Sequence, residues 1–274
     1  MSKSQEFSFG DDSVAIAYDN VLVRILFEPW ANQLVEENMP WEGQRVLDLA
    51  TGTGIVAQVL ANKVGPYGKV FGTDINGEML SLARKRCAGL IPEEMFIECP
   101  AHPLEIESNS IDFVVCQQGF QFFPDKSAAA QEIYRVLCDG GKIIATTWKP
   151  VSECQFFGRI CDALEEIGET EMSNMMRIPF DFMPESELLA HFETTGFVNV
   201  QIRQQELALM LDGVARDGIE VAYSTPIAPK LRALPEERQT QFRNTFKKLL
   251  GEMSDDGKIM GRMVSNVLSA EKPN

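Results

Sequence analysis

A doubly wound α/β core is the fold this sequence predicts, and two observations predict it. The first is the run Val46-Leu47-Asp48-Leu49-Ala50-Thr51-Gly52-Thr53-Gly54, followed twenty residues later by Asp74 in Lys69-Val70-Phe71-Gly72-Thr73-Asp74. The second is the alternation of strand-like and helix-like stretches up to residue 148, which implies a parallel sheet with right-handed crossovers. Val46, Leu47 and Leu49 make a short buried strand. Gly52 and Gly54 permit a tight turn and a close backbone approach. Residues 55–63 continue as a helix whose first N–H groups face that turn. Asp74, at the end of the next strand, lies beside the turn, where its two oxygens can accept both hydroxyls of a ribose. The expected ligand is an adenosine-type nucleotide.

Two cofactor classes fit this sketch. Gly52-x-Gly54-x-x-Ala57, with Asp74 beyond it, satisfies the loose dinucleotide fingerprint. Asp48-x-Ala50-x-Gly52-x-Gly54 instead resembles motif I of the class I S-adenosylmethionine-dependent methyltransferases, in the variant with Ala for the first Gly. A pyrophosphate at the helix start would be repelled by Asp48. A cofactor carrying an ammonium and a sulfonium tolerates that acid.

The following segments separate the two. Residues 110–116 read as a fourth strand, 117–125 as its loop, 128–138 as a helix and 142–148 as a fifth strand. Glu132-Ile133-Tyr134-Arg135-Val136-Leu137-Cys138-Asp139-Gly140-Gly141-Lys142 resembles the "E-x-x-R-V-L-x-P-G-G" signature of the same family, with Asp139 where Pro is usual. Its glycines are expected to end the helix in a left-handed cap. Four family elements thus occur in order over residues 43–148, and the chain is similar to the small-molecule methyltransferases of the type 11, UbiE-like kind. The resemblance implies a Rossmann-like methyltransferase core with a mixed seven-stranded sheet. It also implies S-adenosylmethionine as cofactor and S-adenosylhomocysteine as product.

Composition bounds the partners. The chain has 274 residues, 45% of them hydrophobic, enough for a full core. A net charge of −15 opposes binding to nucleic acid or to anionic membranes. The expected partner is a small molecule, neutral or cationic for preference, and the protein is expected as a monomer or homodimer. No apolar stretch approaches a membrane span and residues 1–10 lack a signal-peptide pattern, so a cytoplasmic location is expected. Six cysteines show no C-x-x-C spacing and read as buried free thiols; with two histidines they form no metal set.

Three regions are expected. Residues 1–40 form a helical lid, with apolar positions at helical spacing over 11–37 and a break at Pro29. Residues 41–211 form the cofactor core, with a substrate-facing insertion at about 149–184. Within it, 197–203 and 206–211 are expected to pair antiparallel and close the sheet. Residues 212–274 form a cap, helical over 214–268.

Methyl transfer from a sulfonium is an in-line displacement, so the protein chiefly aligns a nucleophile and excludes water. By the resemblance, Ala50, Gly52, Thr53 and Gly54 accommodate the methionine part, and Asp48 favours its ammonium. Asp74 takes the ribose, or else caps a helix near Asn76, while Ile75 and Met79 line the adenine. Many relatives carry Gly-Asp-Ala after the third strand; here the residues are Cys99-Pro100-Ala101, so Pro100, Ala101 and His102 replace that carboxylate contact. Gln117 lines the methionine side and Tyr18 reaches it from the lid. Trp30, Gln121, Phe122, Trp148 and Met176 are the substrate candidates.

Phe7, Phe9, Phe27, Phe120 and Phe123 are further aromatic candidates, and Met172, Met175, Met176 and Met183 would form an apolar wall. His102 and Gln121 are the candidates for catalysis, and His191 is the poorer histidine. The implied activity is methylation of a small apolar or aromatic metabolite. The alternative is a non-catalytic regulatory or scaffold protein that binds S-adenosylmethionine or S-adenosylhomocysteine.

Overall fold

The computed structural model describes residues 12–38, 41–181, 183–212, 216–255 and 258–274; Phe7 and Phe9 lie outside them. The chain divides into two compact units: residues 1–27, 148–182 and 205–265, and residues 28–147, 183–204 and 266–274.

The second unit holds the nucleotide-type core. Helix α2 (Glu28–Glu37) leads to β1 (Arg45–Leu49), α3 (Ile55–Val64), β2 (Lys69–Asp74), α4 (Gly77–Arg86), β3 (Phe96–Glu98), β4 (Ile111–Gln117), α5 (Lys126–Val136) and β5 (Leu137–Trp148). β1 pairs parallel with β2 and β4, β2 with β3, and β4 with β5. Parallel strands covered on both faces need nearly continuous apolar sequence. β4 supplies it with Ile111, Phe113, Val114, Val115 and Cys116, all buried. The N-terminal edge is pinned by charge: Arg45 Nε and Nη2 donate to the two oxygens of Asp112 at 3.0 and 2.6 Å, holding that carboxyl below its usual range.

Seven strands run in the order β3-β2-β1-β4-β5-β8-β6, where β6 is Val198–Asp212 and β8 is Lys258–Glu271; β7 (Ser254–Asp255) pairs with β8 off this path. β8 runs against β5, because Lys272 N donates to Gly141 O while Lys149 N donates to Val264 O. The sheet is mixed and seven-stranded, as expected, but its closing pair differs. Residues 198–212 form one strand, since Gln204-Gln205 offers no turn residue. Its sheet neighbour comes from 258–271, which was expected to be helical. Val264, Val267, Leu268 and Ala270 are buried there, and β-branched and apolar residues fit a central strand.

The expected left-handed helix cap also moves. α5 ends at Val136 with Leu137 extended (φ −67°, ψ 138°), and Gly140, at φ 72°, turns the chain after that. One helix of this unit, α8 (Glu185–Glu193), packs Leu188 and Phe192 into the core with Phe120 and Phe197. Met183 packs against that same core; Met172, Met175 and Met176 belong to the other unit.

In the first unit, α1 (Asp12–Ala17) runs directly into a π-helical segment, Tyr18–Phe27. Just before Pro29 the helix changes type, the π-helical segment ending at Phe27 and α2 starting at Glu28, and the boundary between the two units falls at the same point. The unit also contains α6 (Gln155–Glu166), α7 (Thr170–Arg177), α9 (Arg216–Ala222), α10 (Ala228–Ala233) and α11 (Glu236–Gly251). A row of rings runs through it. Tyr18 lies 5.2 Å from Phe27, Phe27 6.5 Å from Trp148, Trp148 6.3 Å from Phe180 and Phe180 5.1 Å from Phe157. Phe157 continues through Phe156 to Phe246 and Phe242. Among the described residues no helix is long and apolar enough to cross a membrane.

Candidate active site

Apart from Tyr18, which lies in the first unit, the candidate cofactor residues lie at the carboxyl ends of β1 to β4 or just after them, where open parallel sheets bind ligands. The turn after β1 carries three successive left-handed residues at alternate positions: Ala50 at φ 59°, Gly52 at 55° and Gly54 at 83°. Gly119 must be glycine, because a Cβ there would stand 2.7 Å from the Ala50 Cβ. Gly54 must be glycine, because its missing Cβ would stand 2.9 Å from Ala83 of α4. A Cβ on Gly52 would meet nothing within 4 Å, so this stretch of backbone faces open space.

Asp48 is buried at 1% exposure. Its Oδ2 accepts from Thr51 Oγ1 at 2.6 Å and from Ala57 N at 2.9 Å. Burial pushes this carboxyl up to about 7, with the charge of Asp74 a lesser contributor and the two hydrogen bonds opposing. Asp48 therefore braces the turn from within.

Asp74 closes the turn from the other strand. Its Oδ2 accepts from Gly52 N at 2.8 Å and its Oδ1 from Asn76 N at 2.9 Å. Burial raises its pKa, and the Asn76, Gly52 and Ile75 N–H groups pull it back. The helix cap is Asn76, whose Oδ1 accepts from Glu78 N and Met79 N, so Asp74 is not needed as a cap. Directly after Asp74, Ile75 stands 73% exposed while Met79 is buried. A large apolar side chain held in water beside a ribose-type carboxylate suits the face of a flat base.

The chain after β3 meets this edge through Cys99 N, which donates to Asp74 O at 3.0 Å. Pro100 and His102 are exposed and Ala101 is half-buried. The nearby Glu132 carboxyl is held low chiefly by its hydrogen bond to Arg135. Gln117 ends β4, half-buried, and Gln121 and Phe122 lie half-buried in the 3₁₀ turn Phe120–Phe122. Phe120 is core, edge-on to Phe123 and close to Phe192. His191 contacts Ser127 Oγ through Nδ1 at 3.0 Å and packs on Phe120. Trp30 is buried in α2 of the same unit. Tyr18, Trp148 and Met176 belong to the first unit, the first two in its row of rings.

Sequence reasoning passed over Thr51, Arg86 and Gly119. The spacing of Thr51 three residues beyond Asp48 was a usable signal for a local side-chain bond. Nothing local marked Arg86 or Gly119.

A sequence profile described as a methyltransferase domain matches residues 47–145, the stretch that holds this turn and both acids. A ubiquinone/menaquinone biosynthesis C-methyltransferase UbiE from Stenotrophomonas maltophilia (strain K279a) is 32% identical over 201 residues, covering 68% of this chain and 79% of that protein. The chain belongs to the class I S-adenosylmethionine-dependent methyltransferases. A UbiE from Xylella fastidiosa (strain M23) is 34% identical over 158 residues, covering 53% of this chain, which spans 62% of that relative's length. The solved structure of Haemonchus contortus phosphoethanolamine N-methyltransferase 2 with S-adenosyl-L-methionine has a TM-score of 0.63 at 19% identity. That match covers 100% of this chain and 60% of the other, and it shows the shared methyltransferase fold.

Proposed function

We propose that this protein transfers a methyl group from S-adenosylmethionine to a small apolar or aromatic molecule. One observation carries the cofactor part: the Gly52 backbone faces open space between two buried or half-buried carboxylates, Asp48 and Asp74, at the ends of adjacent strands. When bound, the cofactor supplies an electrophilic methyl on a sulfonium. In this reading Asp74 accepts the ribose hydroxyls, Ile75 and Met79 cover the adenine, and the turn at 50–54 holds the methionine part. Ala101 N–H and His102 serve the adenine edge, and Gln117 the methionine side. Gln121 and Phe122 after β4 meet the acceptor, with Trp30 a further proposed contact in the same unit.

Two relatives are named C-methyltransferases of quinone biosynthesis, which supports an aromatic acceptor. The turn after β4 carries glutamine and phenylalanine where a base would be useful, which favours an acceptor that ionises readily. The same feature motivates the second reading, a cofactor-binding protein without turnover. Calorimetric titration with S-adenosylhomocysteine tests the site, and no measurable affinity would sink both readings. Mass-spectrometric detection of label from methyl-labelled cofactor, across a panel of phenols, quinols, thiols and amines, separates them. Incorporation is expected; binding without incorporation on any acceptor selects the second.

A further inference from the structure

α3 begins after Gly54, whose carbonyl accepts the first helical bond, from Gln58 N at 2.9 Å. Ala57 N, in the first turn, has no acceptor within the helix and donates to Asp48 Oδ2 at 2.9 Å. Thr53 is buried at 2% exposure, and its carbonyl precedes the helix, so its donor must come from elsewhere in the fold. Arg86, in the last turn of α4, supplies it: its Nε donates to Thr53 O at 2.9 Å. Gln58 steadies the guanidinium, its Oε1 3.5 Å from Nη1. The neighbouring Cys87 Sγ reaches Gly54 O at 3.6 Å. The close approach of Gly54 to Ala83 brings the last turns of α4 onto this peptide. The other end of α4 follows Asp74 and Ile75 directly, so one helix spans from the ribose carboxylate to the glycine turn.

From this geometry we infer that Arg86 is a positioning residue of the cofactor site: it supplies the donor for the buried Thr53 carbonyl and fixes the Thr53–Gly54 peptide for the methionine part of the cofactor. The inference rests on the cofactor reading proposed above. It differs from a general stabilising role because Arg86 acts on the turn, whereas Asp74 and Ile75 are set by the other end of α4. Its loss should therefore be felt by the amino-acid tail of a ligand and not by the adenosine.

The test titrates the full chain with S-adenosylhomocysteine and with 5′-methylthioadenosine, which keeps adenosine and sulfur but lacks the amino-acid tail. Wild type, R86K and R86M are compared, with thermal unfolding as the check on folding. R86M should lose roughly ten-fold in affinity for S-adenosylhomocysteine, the scale of one charge-assisted hydrogen bond, with 5′-methylthioadenosine affinity within about two-fold of wild type. R86K, which can still donate to Thr53 O, should recover most of the loss. Unchanged S-adenosylhomocysteine affinity in R86M, or equal losses for both ligands, overturns the inference. If R86M does not fold, R86K decides: a selective, partial loss supports the role, and equal losses or none overturn it. A wild-type protein that binds neither ligand would instead overturn the cofactor reading itself.

Discussion

Replacing Asp48 by asparagine removes a charge from a site with 1% exposure while leaving its shape. Both bonds that brace the turn, from Thr51 Oγ1 and from Ala57 N, end on the same oxygen, Oδ2. An asparagine can place its carbonyl oxygen there, so neither bond need be lost. Burial moves the Asp48 carboxyl from the ordinary 3.8 to about 7. The folded protein therefore binds more protons than the unfolded chain between those values, and stability falls as pH rises through that window. The penalty is small below the unfolded value and complete above the folded one. Between pH 5 and pH 8 it grows by about 3 kcal/mol, using 1.36 kcal/mol per pH unit. Asparagine carries no such penalty. Urea unfolding of both proteins should show the Asp48→Asn variant gaining on wild type by about that amount across the interval, and standing above it at pH 8. A stability difference that does not change with pH would refute the argument that Asp48 is a desolvated carboxyl.

The same variant should bind S-adenosylhomocysteine more weakly at pH 8 by calorimetry, and wild-type affinity should rise from pH 6 to pH 8, because the ionised Asp48 favours an ammonium; affinity flat with pH would argue against that role. Gly52→Ala and Gly54→Ala should separate binding from stability. Both place alanine at positive φ, at roughly 1 kcal/mol each, and only Gly54→Ala also meets Ala83 at 2.9 Å. Thermal unfolding should drop further for Gly54→Ala, while Gly52→Ala should fold and still lose S-adenosylhomocysteine. Cys87, Cys116 and Cys154 are pushed up to about 12 by burial. Of the six thiols, Cys138 alone is partly exposed, so native protein should react with a disulfide reagent at about one equivalent and release the rest only on unfolding.

Much of the core was legible because it is written in local patterns. Val46 to Gly54, Lys69 to Asp74 and Ile111 to Cys116 are apolar runs bounded by glycine, acid or polar residues, and parallel strands buried on both faces require such runs. Asp48, Gly52, Gly54 and Asp74 were likewise visible, because a ligand at strand ends calls for these residue types at these intervals. The closing strands were not. Residues 206–211 and 264–270 are apolar enough for either helix or strand, and sheet partners decide between them. Arg86 escaped for a related reason: it matters through one hydrogen bond to a carbonyl 33 residues away, placed beside it only once the turn is folded.

By itself, the sequence determined the parallel α/β core, the family and the glycine turn after β1, since these depend on periodicity and on residues the backbone cannot do without. Tertiary structure decided that 258–271 enters the sheet between β5 and β6. It also decided that Met183 packs against the core of β1, β4 and β5, and that Asp48 turns inward to take the Ala57 N–H. Those outcomes depend on which buried groups find partners across long stretches of chain, and pairing at that range leaves no local mark.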